Sequence, residues 1–240
     1  GLDADGRLRD PEREPEAFRE EEFGFIPKEW DLLNLGNLAI HVSSGSTPKG
    51  GKKVYQEEGI PFIRSQNVWM KGLDLEDVAR IPREIHEGMD RTHLHRHDVL
   101  LNITGASIGR CCIVPPSLGE ANVNQHVCII RLPNANRTDA TYLSRVLASH
   151  VGQSQIDRVQ AGGSREGLNY TQIKSFSIPW PSPKERTRII DRLAIARDKQ
   201  SADRIYRSKL QHLKTGLMQD LLTGRVRVPE AEERIEDLAT

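Results

Sequence analysis

The clearest hydrophobic pattern of the chain lies in its last third, in a helical segment predicted from about Lys184 to Thr223. Apolar side chains recur there at spacings of three and four residues, which places them on one face of an α-helix. The segment follows the proline-rich run 179–183 and stops before Gly224, and both are typical helix boundaries. We expect the apolar face to pair with another helix as a coiled coil. The pairing residues are Ile189, Leu193, Tyr206, Leu210, Leu213, Leu217 and Leu221.

Gln200 and Asp203 interrupt this apolar face near its middle. The pairing is therefore expected to be looser there, or to use polar contacts. An alternative interpretation is a helix that packs along its own domain, although a helix of this length usually extends beyond a small domain.

The preceding part of the chain shows shorter patterns. Runs rich in β-branched residues and bounded by Gly, Pro or Asn predict strands at Ile60–Ile63, Asp98–Thr104, Cys111–Val114, His126–Leu132 and Phe176–Ile178. Helical patterns occur at Leu32–Ile40, Thr138–Ser149 and Gln153–Val159. Together these elements predict an α+β domain with mostly antiparallel strands, followed by one long C-terminal helix that pairs as a coiled coil.

The pattern divides the chain into four parts. We expect a flexible acidic linker at 1–22, a folded domain at 23–183, the long helix at 184–224 and an acidic tail at 225–240. The sequence starts without Met and shows no signal peptide, so we expect a processed or trimmed chain. It has no run of eighteen apolar residues, and we expect no membrane span.

Composition changes this picture in two respects. The three cysteines lack CxxC spacing, which favours a reducing cytoplasm and argues against a zinc site. The net charge is zero overall, but residues 1–22 hold nine acids and four bases, while residues 184–228 hold twelve bases and five acids. A positive helix between acidic ends fits a protein that binds a polyanion, and a solvated helix surface is the plainer interpretation.

Gly105–Gly109 matches the G-x-S-x-G motif of a nucleophile elbow, which would make Ser107 a hydrolytic nucleophile with His126 or His150 as its base. An elbow requires a helix after the serine, whereas residues 110–114 have a strand pattern. A hairpin turn between two strands therefore explains the glycines better. A serine hydrolase remains an alternative at this point.

Two other motifs imitate well-known binding sites. The glycine-rich loop 45–53 lacks the Gly-Lys-Ser/Thr order of a nucleotide-binding loop, but Lys49, Lys52 and Lys53 suit contacts with phosphates. The alternative is an ordinary solvated loop. The alternating His93, His95 and His97 would share one face of a strand and could bind zinc, but no cysteine lies nearby in sequence. We expect exposed histidines and no metal site.

Polar clusters at Arg64–Asn67 and in the glycine-rich loop that contains Arg165 carry the side chains that read base edges in DNA. The chain lacks the Asn/Asp-Pro-Pro-Tyr motif of an adenine methyltransferase, and no nuclease-like cluster of acids with lysine is evident. These observations favour a binding module over an enzyme. A helical scaffold that binds only protein is a further alternative.

Several segments resemble one family of such modules. Residues 26–36, 44–48, 59–64, 98–109 and 124–125 are similar to the target-recognition domain of the specificity subunit of type I restriction–modification enzymes. Residues 216–224, Gly-Leu-Met-Gln-Asp-Leu-Leu-Thr-Gly, resemble the close of that family's spacer helix. The resemblance covers about residues 23–228. Arg186 departs from the family pattern, which commonly has Glu-Gln after the proline.

The resemblance implies a subunit without chemistry of its own that reads one half of a split double-stranded DNA target. It implies methyltransferase subunits that use S-adenosylmethionine, and a restriction subunit that uses ATP. Family members usually contain two recognition domains and two spacer helices, so this chain is expected to be a half-subunit that forms a homodimer, a fragment, or the second half of a longer subunit. The DNA-contacting residues we expect are Lys49, Lys52, Lys53, Arg64, Asn67, Ser107, Arg110 and Arg165.

Overall fold

The computed structural model describes residues 1–3, 5–134, 136–161 and 167–226. The strands are β1 Phe18–Glu21, β2 Gly24–Pro27, β3 Asp31–Asn34, β4 His41–Ser44, β5 Ile60–Ile63, β6 Val68–Trp69, β7 Gly72–Leu73, β8 Ala79–Ile81, β9 Val99–Asn102, β10 Cys111–Ile113, β11 Asn122–Val123, β12 Val127–Arg131 and β13 Ser177–Trp180. The helices are α1 Leu35–Leu38, α2 Arg83–Glu87, α3 Arg137–Ala148, α4 His150–Ala161, α5 Tyr170–Ser175 and α6 Pro183–Leu222.

The largest sheet has the strand order β10-β9-β12-β4 and is antiparallel throughout. Its two central strands are almost entirely buried, which explains why their sequences are continuous apolar runs. Leu101 of β9 lies opposite Cys111 on one side and Cys128 on the other. These residues form the main core with Leu143 and Leu147 of α3. The predicted α+β class with mostly antiparallel strands is confirmed.

A second sheet, β11-β5-β8, places β11 parallel to β5 and β8 antiparallel to it. The parallel pair brings the chain after β11 close to the chain after β5. Three two-stranded pairs, β1-β2, β6-β7 and β3-β13, complete the strand pairing among the described residues. Several loops that connect these strands therefore lie next to one another. These loops carry the candidate site.

Two local predictions differ from the structure. Residues 1–22 are expected to form a flexible arm, yet β1 pairs with β2, Phe18 is buried, and Arg19 donates hydrogen bonds to the carbonyl oxygens of Lys28 and Trp30. These tertiary contacts override a composition that is typical of disorder. The helix expected at Leu32–Ile40 is reduced to α1, because β3 pairs with β13 instead.

The start of α6 belongs to the first of two compact units, residues 1–190 and 191–240. Arg186 is buried, with its Nε 2.6 Å from Asp139 Oδ1 and its guanidinium 4.3 Å above the Trp180 ring. Ile189 and Ile190 pack against the main core. Arg186 thus supplies a buried ion pair that holds the first turns of the helix.

The rest of α6 exposes its apolar side chains within the described residues. Leu210 is 47% exposed, Leu213 58% and Leu217 51%. Leu193, Tyr206 and Leu221 are also exposed, whereas Ile189 is partly buried in the first unit. In the part of the chain that the structure describes, no helix is long and apolar enough to cross a membrane.

Candidate nucleic-acid interface

A chain of side-chain hydrogen bonds joins three loops of the first unit. Thr47 Oγ1 donates to Gln125 Oε1 at 2.7 Å, which ties the loop after β4 to the loop before β12. Gln125 Nε2 donates to His126 Nε2 at 2.8 Å. Because His126 Nε2 accepts, its Nδ1 is the ring nitrogen that donates to Thr104 Oγ1, in the loop after β9. The three loops are therefore held in a fixed arrangement.

Asn102 joins a fourth loop to this arrangement. Its side chain is fully buried at the end of β9, and its Nδ2 donates to Ser65 O at 2.8 Å and to Ser107 Oγ at 3.1 Å. The loop after β5 consequently lies against the β9–β10 turn. The two meet at a surface depression lined by Ser65, Gln66, Thr104, Gly105, Ala106, Ser107, Arg110 and His126. We call these residues, with Thr47 and Gln125, the polar loop surface.

The predicted lysine loop borders this surface, and Gly45 fixes its position. A Cβ at Gly45 would lie 1.7 Å from the Val123 carbonyl oxygen, so only glycine allows the two backbones to approach so closely. Gly45 N–H also donates to the carbonyl oxygen of Asn124. The start of the loop is thereby attached to the end of β11.

Lys49, Lys52 and Lys53 are exposed around a 3₁₀ turn at Gly51–Val54. None of these lysines forms an ion pair with a described residue. Unpaired ammonium groups beside a polar surface suit contacts with phosphates.

Arg64 and Asn67, predicted as DNA contacts, have internal partners. Asn67 is buried, its Oδ1 accepts from the Arg64 N–H at 3.0 Å, and its Nδ2 donates to the Asp74 carbonyl at 2.9 Å. The Arg64 guanidinium donates to the Asp77 carbonyl and lies 5.6 Å from the centre of the Tyr55 ring. Both side chains shape the loop after β5. Arg165 lies outside the described residues.

Ser107 occupies the hairpin turn that the sequence favours over a nucleophile elbow. The strand after it, β10, pairs antiparallel with β9, and no helix follows the serine directly. Ser107 Oγ accepts a hydrogen bond from Asn102, while both ring nitrogens of His126 are bonded to Thr104 and Gln125. His150 lies exposed at the start of α4. The serine hydrolase alternative is not supported.

The other candidate chemical groups serve the interior. His93 does not share a strand face with His95 and His97; its ring stacks on His86 at 3.9 Å between centroids. Burial lowers the pKa of His86, as does the neighbouring His93. Burial also raises the pKa of each cysteine thiol to about 12, so the thiols stay protonated and unreactive.

Thr104, Gln125 and His126 are not among the DNA contacts predicted from the sequence. Gln125 belongs only to the segments that carry the family resemblance. Their proximity depends on the parallel β11–β5 pairing and on the hydrogen-bond chain, and neither leaves a periodic signal in the sequence. Polar residues immediately before β12 and after β9 were the signal available.

Comparison with known families identifies the family of the chain. The model of the type I restriction modification DNA specificity domain matches residues 27–201. The chain belongs to this family. Every strand from β3 to β13, and the whole polar loop surface, lies inside the matched range.

Relatives of the family agree with this assignment. The MjaVIII type I restriction enzyme specificity subunit of Methanocaldococcus jannaschii is 21% identical over 222 residues, which are 90% of this chain and 50% of that protein. The EcoBI specificity subunit of Escherichia coli is 28% identical over 172 residues, 70% of this chain and 35% of that protein. The chain spans about half the length of the Methanocaldococcus relatives it matches.

Solved structures show the same fold. The HsdS subunit from Thermoanaerobacter tengcongensis has a TM-score of 0.58 at 15% identity and covers 85% of this chain and 47% of that one. A chain from a structure on complex assembly and conformational transition of the type I R-M system has a TM-score of 0.59 at 15% identity, with 85% and 48% covered. At this identity the likeness establishes the fold of the specificity domain.

Proposed function

We propose that the domain at 23–183 recognises one half of a bipartite double-stranded DNA target. The observation that carries this proposal is the convergence of four loops into one polar loop surface inside a DNA specificity domain. The surface offers amide, hydroxyl and guanidinium groups, which hydrogen-bond to base edges. The proposal assigns no reaction to the chain.

The proposed contacts follow from the position of each side chain. Lys49, Lys52 and Lys53 contact phosphates, because they are exposed and unpaired within the described residues. Ser107 and Arg110 contact DNA from the polar loop surface, and Arg165 contacts a base. We assign Arg64 and Asn67 a supporting role in place of direct base contact, since their polar groups have internal partners.

The long helix has a separate proposed role. Its exposed leucines pair antiparallel with a second spacer helix, either from another copy of the chain or from the other half of a longer specificity subunit. The pair seats methyltransferase subunits, which use S-adenosylmethionine, and associates with a restriction subunit that uses ATP. Ile189 is excluded from the pairing face because it packs on the main core. We also propose that the spacer helix spans 184–224, that an acidic tail follows at 225–240, and that the protein is cytoplasmic.

Reconstitution with the methyltransferase of the same system tests the proposal. The complex is used to select duplexes from a randomised DNA pool, and binding is then measured by fluorescence anisotropy at several salt concentrations. We expect one base sequence to be enriched. Lys52→Ala should weaken binding to every sequence and reduce the salt slope by about one, whereas Arg165→Ala should change the preference at individual positions.

Lys28→Ala is the matched lysine control. Lys28 is exposed directly after β2, whose sheet contributes no residue to the polar loop surface. It should leave both affinity and salt slope unchanged. Equal binding to all duplexes by the wild-type complex would contradict sequence recognition. Absence of DNA retention at low salt would instead favour the scaffold that binds only protein.

A further inference from the structure

Arg110 and Trp69 form a stacked pair at the border of the polar loop surface. The central guanidinium carbon of Arg110 lies 4.0 Å from the centre of the Trp69 ring, the shortest such distance among the described residues. Trp69 remains 37% exposed, so the pair is open to solvent. Stacking fixes the plane of the guanidinium while its N–H edges stay available.

Among the described residues, three other arginines stack on aromatic rings, and each of them has a protein acceptor. Arg9 is paired with Glu29. Arg64 donates to the Asp77 carbonyl, and Arg186 is paired with Asp139. The guanidinium of Arg110, in contrast, has no hydrogen-bond acceptor or ion-pair partner within the described ranges. Among the described residues it is therefore positioned by stacking alone, and its N–H groups have no protein acceptor there.

The backbones on both sides of this pair are fixed. Arg110 N–H donates to the Ser107 carbonyl, and the Arg110 carbonyl accepts from Asn102 N–H, which anchors the residue at the β9–β10 turn. Trp69 pairs with Gly72 in the β6–β7 hairpin. Arg145 Nη1 donates to the Met70 carbonyl and supports the tip of that hairpin. Neither stacking partner depends on a loose loop for its position.

We propose that Arg110 is a specificity-determining residue that reads a guanine, and that Trp69 is a positioning residue that acts through it. A guanidinium fork matches O6 and N7 of guanine in the major groove, where it forms two hydrogen bonds. Ser65 and Gln66 line the same depression, beside Arg110. This inference rests on the proposed DNA recognition by the same surface.

The experiment uses the complex of the chain with its methyltransferase and the duplex enriched by selection. Arg110→Ala and Arg110→Lys should lower the preference for guanine at one position by about 5- to 100-fold and leave other positions unchanged. The lysine variant keeps the charge but loses the fork. Replacing that guanine with 7-deazaguanine removes the N7 acceptor, so it should weaken the wild-type complex and leave Arg110→Ala unaffected.

Trp69 is tested at the same position. Trp69→Ala should reduce the guanine preference by about 2- to 5-fold, Trp69→Phe should restore most of it, and Trp69→Ala should add nothing in the Arg110→Ala background. Thermal melting of each variant reports separately on folding. A purely structural tryptophan would lower binding to all sequences and would still do so without Arg110.

The outcomes separate this inference from the function on which it rests. Failure of the wild-type complex to prefer any sequence would overturn both. Selective wild-type binding with every preference retained in Arg110→Ala would overturn the guanine assignment alone. A uniform loss on all sequences with a smaller salt slope would also overturn it, because it would place Arg110 on a phosphate.

Discussion

The two units of the chain differ in the burial of their leucine side chains. Leu143 of α3 is fully buried in the main core, whereas Leu213 of α6 is 58% exposed. In the first unit, most large apolar side chains are buried, and the loops of the polar loop surface carry mainly polar groups. In the second, described by itself, a row of leucines faces solvent.

This difference shows which of the two units is stabilised by a hydrophobic core of its own. The first unit buries a core from sheet and helices, so its exposed polar groups are available for a ligand. The helix leaves an apolar face that a soluble protein usually covers with another polypeptide. Recognition and assembly are thus assigned to chemically different surfaces. The following substitutions test this division, from the largest expected effect to the smallest.

Asp98→Ala should destabilise the first unit most, by about 3–5 kcal/mol. Asp98 is fully buried, accepts two hydrogen bonds from Arg131 at 2.7 Å and one from His95 N–H, so its removal leaves a largely buried guanidinium without its partner. Urea unfolding followed by tryptophan fluorescence measures the change, because all three tryptophans lie in this unit. A loss below about 1 kcal/mol would contradict the importance of this pair.

The same truncation at two leucines tests the comparison directly. Leu143→Ala should cost about 2–5 kcal/mol of the unfolding free energy of the first unit, because it leaves a cavity. Leu213→Ala should change that free energy by less than about 0.5 kcal/mol.

Sedimentation measures self-association and methyltransferase binding of the same two variants. We expect Leu213→Ala to weaken this association and Leu143→Ala to leave it unchanged. Equal destabilisation of the first unit by both variants would remove the distinction between the two surfaces.

Asn169→Ala should cost about 1 kcal/mol. Asn169 Oδ1 accepts from the Gln172 N–H, and Gln172 Oε1 accepts from the Asn169 N–H, which closes a capping box at the start of α5. Asn169→Asp, which keeps the accepting oxygen, is the matched control and should retain most of the stability. If the control loses as much as the alanine variant, the cap is not the cause.

Protonation of His86 in mild acid should destabilise the first unit, and we expect the smallest of these effects from it. The folded-state pKa of His86 is lowered by burial and by His93, so the unfolded chain binds the proton more readily. The unfolding free energy is therefore complete above about pH 6.5 and decreases as the pH falls through that value. His86→Gln should show a shallower decrease in urea titrations at several pH values. An unchanged slope would assign the effect to other groups.

Part of the fold was predictable because it depends on local patterns. The strand predicted at Ile60–Ile63 has those bounds in the structure, and the apolar spacing that predicts the long helix matches Pro183–Leu222 closely. The short strands β3 and β4 were not predicted. Their burial patterns do not alternate, and their pairing partners lie far away in sequence.

The candidate site was predictable only in its chemistry. Sequence indicated lysines for phosphates and polar loops for bases, and the resemblance indicated DNA specificity, which the family match confirms. The sequence could not show that Asn67 forms hydrogen bonds within the domain or that His126 bonds to Thr104.

The sequence by itself determined the class of protein, the long helix and its apolar face, because residue spacing and short motifs are local properties. Only the tertiary structure decided which polar residues share one surface, that the acidic start of the chain pairs as a strand, and that Arg110 is stacked without an acceptor among the described residues. These features depend on contacts between segments far apart in the chain. Such contacts are fixed by core packing and strand pairing, and the order of the residues does not display them.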